Sequence, residues 1–208
     1  MSDPSLRHAG VDLGGTPRNR NAQAESGLFG FWMFLMSDAV IFALLFAVYG
    51  TVVAATAGGP TPAQEFKLGG ALVETLLLLT SSLTVGLSVL AMKYDAARRP
   101  VFAWLGVTFA LGVAFLVLEA RDFATMLADG AYPTRSAFLS AFFALVPLHG
   151  LHVLAGCFWM LVMGGQALAY GFDARVRLNI LRLALFWHFL DVIWIAILTI
   201  VYLQGHVR

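Results

Sequence analysis

Long blocks of apolar residues alternate with short polar breaks from residue 28 onward, and that alternation predicts the fold. The blocks cover residues 28–57, 69–92, 101–120, 137–170 and 179–203. A helix needs about 20 apolar residues to cross a hydrocarbon layer ~30 Å thick, whereas a barrel strand needs only ~10 in alternating pattern. Each block is continuous, so each predicts a transmembrane helix. The breaks carry helix terminators, because proline cannot donate a helical hydrogen bond and glycine ends a helix cheaply. They are Gly58-Gly59-Pro60-Thr61-Pro62, then AARRP at 96–100, then Asp129-Gly130-Ala131-Tyr132-Pro133, then 171–177. Short connections predict antiparallel neighbours in an all-α bundle of five transmembrane helices. The fourth block would span about 50 Å at ~1.5 Å per residue. Pro147 inside it predicts a kink or a strong tilt. Residues 1–27 are polar, lack the basic-then-apolar pattern of a cleavable signal, and are read as a disordered cytoplasmic tail before one domain, 28–208.

Composition sharpens this picture. Of the 208 residues 60% are apolar and 12% charged, too greasy for a soluble domain, which uses about 25% charged residues. The formal net charge of +1 gives no electrostatic footprint for a nucleic-acid partner. A single cysteine, Cys157, excludes an intramolecular disulfide and any cluster or copper site that needs two thiolates from this chain. The basic residues are lopsided. Arg7, Arg18, Arg20, Lys93, Arg98, Arg99, Arg175, Arg177 and Arg182 fall on one side of the five crossings, and Lys67, Arg121, Arg135 and Arg208 on the other. Basic residues concentrate on the cytoplasmic side, so the N-terminus is expected inside and the C-terminus outside.

Ionisable residues inside apolar helices are expensive, about 2.5–3.5 kcal/mol for a charge at a helix centre, and therefore mark places to look. Asp38 lies in FWMFLMSDAVIF, Glu74 in LVETLLLLTSSLTVG, and Glu119 closes the third block. His149 and His152 occur in PLHGLHVLAG, and His188 and Asp191 in LFWHFLDVIWI. Both histidine-containing pairs are spaced i,i+3. His149 and His152 are thus expected on one side of their helix, and His188 is placed to hydrogen-bond Asp191 within one turn. Trp187 and Trp194 share a stripe, as do Glu74 and Ser81. For the histidines, ligation of haem or metal competes with hydrogen bonding between helices. Asp38 is read either as a proton-handling carboxylate or as an acid bonded to a neighbouring helix. Glu74 is expected near the interface in a structural role, and Glu119, beside Arg121 and Asp122, as a helix end in a surface charge cluster. The glycines at 106, 112, 150, 156, 164 and 165 predict close backbone approach, some of it to other chains.

The stretches GFWMFLMSDAVIFALLFAVY, LVETLLLLTSSLTVGLSVLAM, FLSAFFALVPLHGLHVLAG and LFWHFLDVIWIAILTIVYL, in that order, strongly resemble subunit III of the haem–copper oxidases over roughly residues 28–204. HGLHV and WHFLDVIW carry most of the specificity. Five helices after a soluble tail, with the wording LMSD and SAFFALVPLHGLHV, are most similar to the cytochrome o ubiquinol oxidase branch. The resemblance implies a non-catalytic subunit in a bacterial plasma membrane, with no catalytic, cofactor or metal site of its own. It implies packing against subunit I, which holds the haems and copper, alongside other oxidase subunits and membrane lipids. The implied complex oxidises ubiquinol, reduces oxygen to water and pumps protons, with this subunit supporting stability and proton uptake. The family's membrane carboxylate in the first matching helix falls on Asp38, a glutamate in many cytochrome c oxidases, and its second-helix glutamate falls on Glu74. The histidine pair falls on His149 and His152, and the last-helix motif on His188 and Asp191. Competing readings are subunit III of a cytochrome c oxidase, a stand-alone proton channel or transporter using Asp38, Glu74 and Asp191, and a membrane cytochrome using His149 or His152 with His188.

Overall fold

The computed structural model describes residues 18–58, 68–94 and 98–203. Five helices in it are long and apolar enough to cross a membrane. They are α1 (Arg18–Val52), α2 (Leu68–Lys93), α3 (Arg98–Ala128), α4 (Ala137–Tyr170) and α5 (Ala174–Ile197), the last continuing as a π-helical turn over Leu198–Leu203. A short 3₁₀ turn, Pro133–Arg135, leads into α4. The all-α expectation and the number of crossings hold.

Helix ends depart from the apolar blocks, for a common reason. Polar residues with adequate helix propensity extend a helix past the hydrocarbon, and only a breaker or a cap stops it. α1 begins at Arg18, well before the apolar block. Residues 18–27 of the expected tail are thus drawn into α1; the rest of it, 1–17, lies outside the described residues. α3 runs on through RDFATMLA to Ala128 and stops only at Gly130, whose φ is +81°. α5 begins five residues before the apolar block because the Asp173 carboxylate accepts from Val176 N at 2.8 Å, an N-cap. α4 starts in the same way, with Ser136 Oγ accepting from Leu139 N at 3.1 Å, and stays helical through Pro147 to Gly171, φ +76°.

α2, α3, α4 and α5 close into a ring in which each packs on the next and α5 returns to α2. α1 lies outside the ring against α4 and α5. Its inward face is a stripe at seven-residue spacing, Leu35, Phe42 and Tyr49, all fully buried, with exposed Val40, Leu44 and Val48 between them. The ring has a keystone. The Trp187 indole of α5 lies over Gly112 of α3 and Gly156 of α4, so close that a Cβ on either glycine would come within 2.8 and 2.9 Å of its ring. Glycine is needed there because no side chain fits between the backbone and the indole. The glycines at 106, 164 and 165 face no such neighbour.

Candidate functional site

The polar side chains of the spans gather into three groups. The first ties α2 to α5 and α3. Ser81 Oγ donates to the Leu78 carbonyl at 2.7 Å and accepts from Trp187 Nε1 at 2.8 Å. Thr75 Oγ1 donates to the Ala71 carbonyl at 2.6 Å and accepts from Trp194 Nε1 at 3.0 Å. Each hydroxyl thus spends its proton on its own helix and its lone pair on the tryptophan opposite. The seven-residue spacing of the tryptophans matches the six-residue spacing of the hydroxyls on an antiparallel helix. Thr84 and Thr108 meet at 2.8 Å between α2 and α3, and Ser88 Oγ donates to the Val101 carbonyl at 3.2 Å. Ser82 Oγ lies 2.7 Å from His188 Nδ1. His188 therefore takes its partner from α2, and the expected bond to Asp191 is not formed. The i,i+3 spacing puts the two on neighbouring meridians, but Asp191 turns into the ring, 5% exposed, while His188 stays on the outside.

The second group joins α1 to α4. His152 Nε2 lies 3.3 Å from Asp38 Oδ2, and its Nδ1 lies 2.7 Å from the Leu148 carbonyl. A carbonyl only accepts, so Nδ1 carries a proton. Nε2 is then the nitrogen left to face the carboxyl. The Phe42 ring meets the imidazole edge-on with centroids 5.3 Å apart, closing one flank. His149, three residues earlier, goes elsewhere. It is fully buried between Phe115 of α3 and Trp194 of α5, with centroids 5.9 and 5.4 Å away. The two histidines serve different interfaces, not one face.

The third group is buried and lacks partners. Glu119 is 6% exposed and packs its carboxyl onto Gly150 of α4. It is not the end of α3, which continues for nine more residues; Glu119 itself is buried, while its neighbours Arg121 and Asp122 are exposed, Asp122 within electrostatic reach of Glu74. Glu74 is 2% exposed, six residues into α2, and within electrostatic reach of Glu119. Glu74 Oε1, Glu119 Oε1, both nitrogens of His149 and the Tyr49 hydroxyl have no hydrogen-bond partner among the described residues, and the Asp191 carboxyl has only Ser82 near it. Buried groups of this kind need partners or water. Among the described residues no group of three or more His, Cys, Asp and Glu side chains is arranged to hold a metal ion.

Thr75, Ser88 and Thr108 are site residues that sequence reasoning passed over. For Thr75 and Ser88 the signal was the run of hydroxyls along α2, Thr75, Ser81, Thr84 and Ser88; Thr108 on α3 belonged to no such run.

Fold and polar network together define a polytopic membrane bundle whose intramembrane polar groups are used largely to lock its own helices. The chain belongs to the cytochrome c oxidase subunit III family, whose model matches residues 16–206. It is 50% identical over 178 residues to the cytochrome bo(3) ubiquinol oxidase subunit 3 of Pseudomonas aeruginosa, covering 86% of this chain and 85% of that one. It is 38% identical over 191 residues to the cytochrome c oxidase subunit 3 of a Bacillus strain, with 91% of each covered. The quinol oxidase subunit 3 of Bacillus subtilis is 38% identical over 186 residues, 88% of this chain and 91% of that one.

Proposed function

We propose that the chain is subunit III of a proton-pumping ubiquinol oxidase, a scaffold without an active site that packs against the haem- and copper-bearing subunit I. The observation that carries this reading is the 50% identity to a cytochrome bo(3) ubiquinol oxidase subunit 3 across 86% of the chain. The geometry supports a scaffold. Hydroxyl–indole and hydroxyl–imidazole pairs join α2 to α5, and the Asp38–His152 contact joins α1 to α4. In a bilayer, where apolar surface gives no driving force between helices, such pairs and close packing hold a bundle together. The excess of basic residues at the end carrying Lys93, Arg98, Arg99, Arg175 and Arg177 supports that end as cytoplasmic, in a bacterial plasma membrane. Asp38 with His152 is the candidate for handling protons, because their contact sets a carboxyl against an imidazole inside the spans. Stability and proton uptake by subunit I are the roles assigned to it.

The test is purification of a tagged chain, expressed at native level, from gently solubilised membranes. Co-elution with a larger haem-containing subunit and ubiquinol-dependent oxygen consumption is the expected result. A chain that elutes alone and without chromophore overturns the reading. The cytochrome c oxidase subunit 3 among the relatives supports a second donor, and oxidation of cytochrome c but not ubiquinol by the same preparation would favour it.

A further inference from the structure

His188 stands midway along the span Ala174–Leu203, and Ser82 midway along Leu68–Lys93. At ~1.5 Å per residue both lie about 20 Å from either end of their helices, at the centre of the hydrocarbon. The imidazole is nevertheless on the outside of the bundle. Its Nδ1 is occupied by Ser82 Oγ at 2.7 Å, and no described residue bonds Nε2. Hydrocarbon offers no donor or acceptor, and an imidazole is far too short to reach the headgroups as a lysine does. A second feature marks the same face. Gly86 sits one turn from Ser82 on α2, and a Cβ built there meets nothing within 4 Å. Gly112 and Gly156, by contrast, are filled by this chain's own Trp187. Ser82 and Gly86 have the small-xxx-small spacing that admits a neighbouring helix at close range. Exposed Leu79, Leu83, Val192 and Ile195 surround the pair with an apolar rim.

We propose that this face of α2 and α5, centred on His188, is the seat of a transmembrane helix from another subunit of the complex, which presents a hydrogen-bonding side chain to His188 Nε2. The proposal rests on the subunit reading above and adds which face is covered and by what chemistry. The open glycine admits the partner backbone, the rim supplies van der Waals contact, and the imidazole sets the register.

The test uses the intact complex carrying a photoreactive amino acid at position 192, one turn from His188. The expected product is a cross-link to a membrane-spanning segment of another oxidase subunit, located by peptide mapping. Cross-links only to phospholipid, or to a second copy of this chain, overturn the proposal. Failure of the unmodified chain to co-purify with any oxidase subunit would instead defeat the subunit reading, so the two failures are distinguishable. The polar contact has its own readout, retention of the chain by the complex during detergent washing. Retention should fall several-fold in His188→Leu and be largely restored in His188→Gln. Ser82→Ala, which removes the bond inside this chain but leaves Nε2, should be retained nearly as well as the unaltered protein. His188→Leu retained as well as the unaltered protein, or Ser82→Ala lost as readily as His188→Leu, counts against it.

Discussion

At the Asp38–His152 contact the chemistry is set by one hydrogen bond at the far side of the ring. Because His152 Nδ1 must donate to the Leu148 carbonyl, Nε2 is the only nitrogen left to face Asp38 Oδ2 at 3.3 Å. Both side chains are partly screened, at 23% and 14% exposure, so the contact belongs with ordinary interhelical bonds in membranes, about 0.6 kcal/mol on average and up to ~1.7. A double-mutant cycle on the isolated complex with Asp38→Leu, His152→Leu and both should give a coupling of about 1 kcal/mol in thermal stability. Additive effects would mean the two do not interact. Asp38→Ala alone is expected to shorten the turnover lifetime of the assembled oxidase, or to lower its proton pumping, more than it lowers assembly. Normal turnover together with poor assembly would leave Asp38 a packing residue only. Both residues stood out in the sequence as ionisable groups inside apolar helices, yet their pairing did not. The partner lies 114 positions away, and only the docking of α1 on α4 brings it near. The same limit hid Ser82 as the partner of His188. Local spacing nominated Asp191, and tertiary contact chose a hydroxyl on another helix.

Among the elements, α2, α3, α4 and α5 owe their register to Trp187. Its indole is hydrogen-bonded by Ser81 on one side and bounded by the backbones at Gly112 and Gly156 on the others. A Cβ at 112 would lie 2.8 Å from the ring and 3.1 Å from Cys157 Sγ, and overpacking of this kind typically costs about 1–3 kcal/mol. Gly112→Ala should therefore lower the thermal midpoint of the complex clearly, whereas Gly106→Ala, with nothing within 4 Å on the same helix, should leave it almost unchanged. Equal midpoints for the two would remove Trp187 from its place between the helices. Trp187→Phe keeps most of the ring volume but loses the N–H, and should cost about 1 kcal/mol, because Ser81 remains bonded to the Leu78 carbonyl. Where the helices lie was legible, since a run of twenty apolar residues has few other homes. Where they stop was less so. RNRNAQAES before the first block and RDFATMLA after the third contain nothing that breaks a helix, and charge alone does not. Glu119 was misjudged for the same reason. Read beside Arg121 and Asp122 it looked superficial, but on a helix that continues to Ala128 it turns inward onto Gly150.

For the whole molecule, five crossings by the described helices would set the start of α1 and the end of α5 on opposite sides of the membrane, and the sign of that arrangement rests on charge. The end formed by the start of α3, the start of α5 and the close of α2 carries Lys93, Arg98, Arg99, Arg175, Arg177 and Arg182, while the other end of the described helices carries Arg121 and Arg135. By the positive-inside rule such a bias favours the basic end as the cytoplasmic one, the orientation proposed above. Two exposed tyrosines report on it directly: Tyr94, 68% exposed just after α2, and Tyr132, 54% exposed in the turn before α4. Cys157 is buried within the ring, so it adds little background to thiol labelling. With a membrane-impermeant maleimide on intact spheroplasts, Tyr132→Cys should label at once and Tyr94→Cys only after the membrane is opened. The reverse pattern would invert the topology. It would place the arginine-rich end in the periplasm and leave the charge bias without a physical role, while the helix contacts described above would stand unaltered.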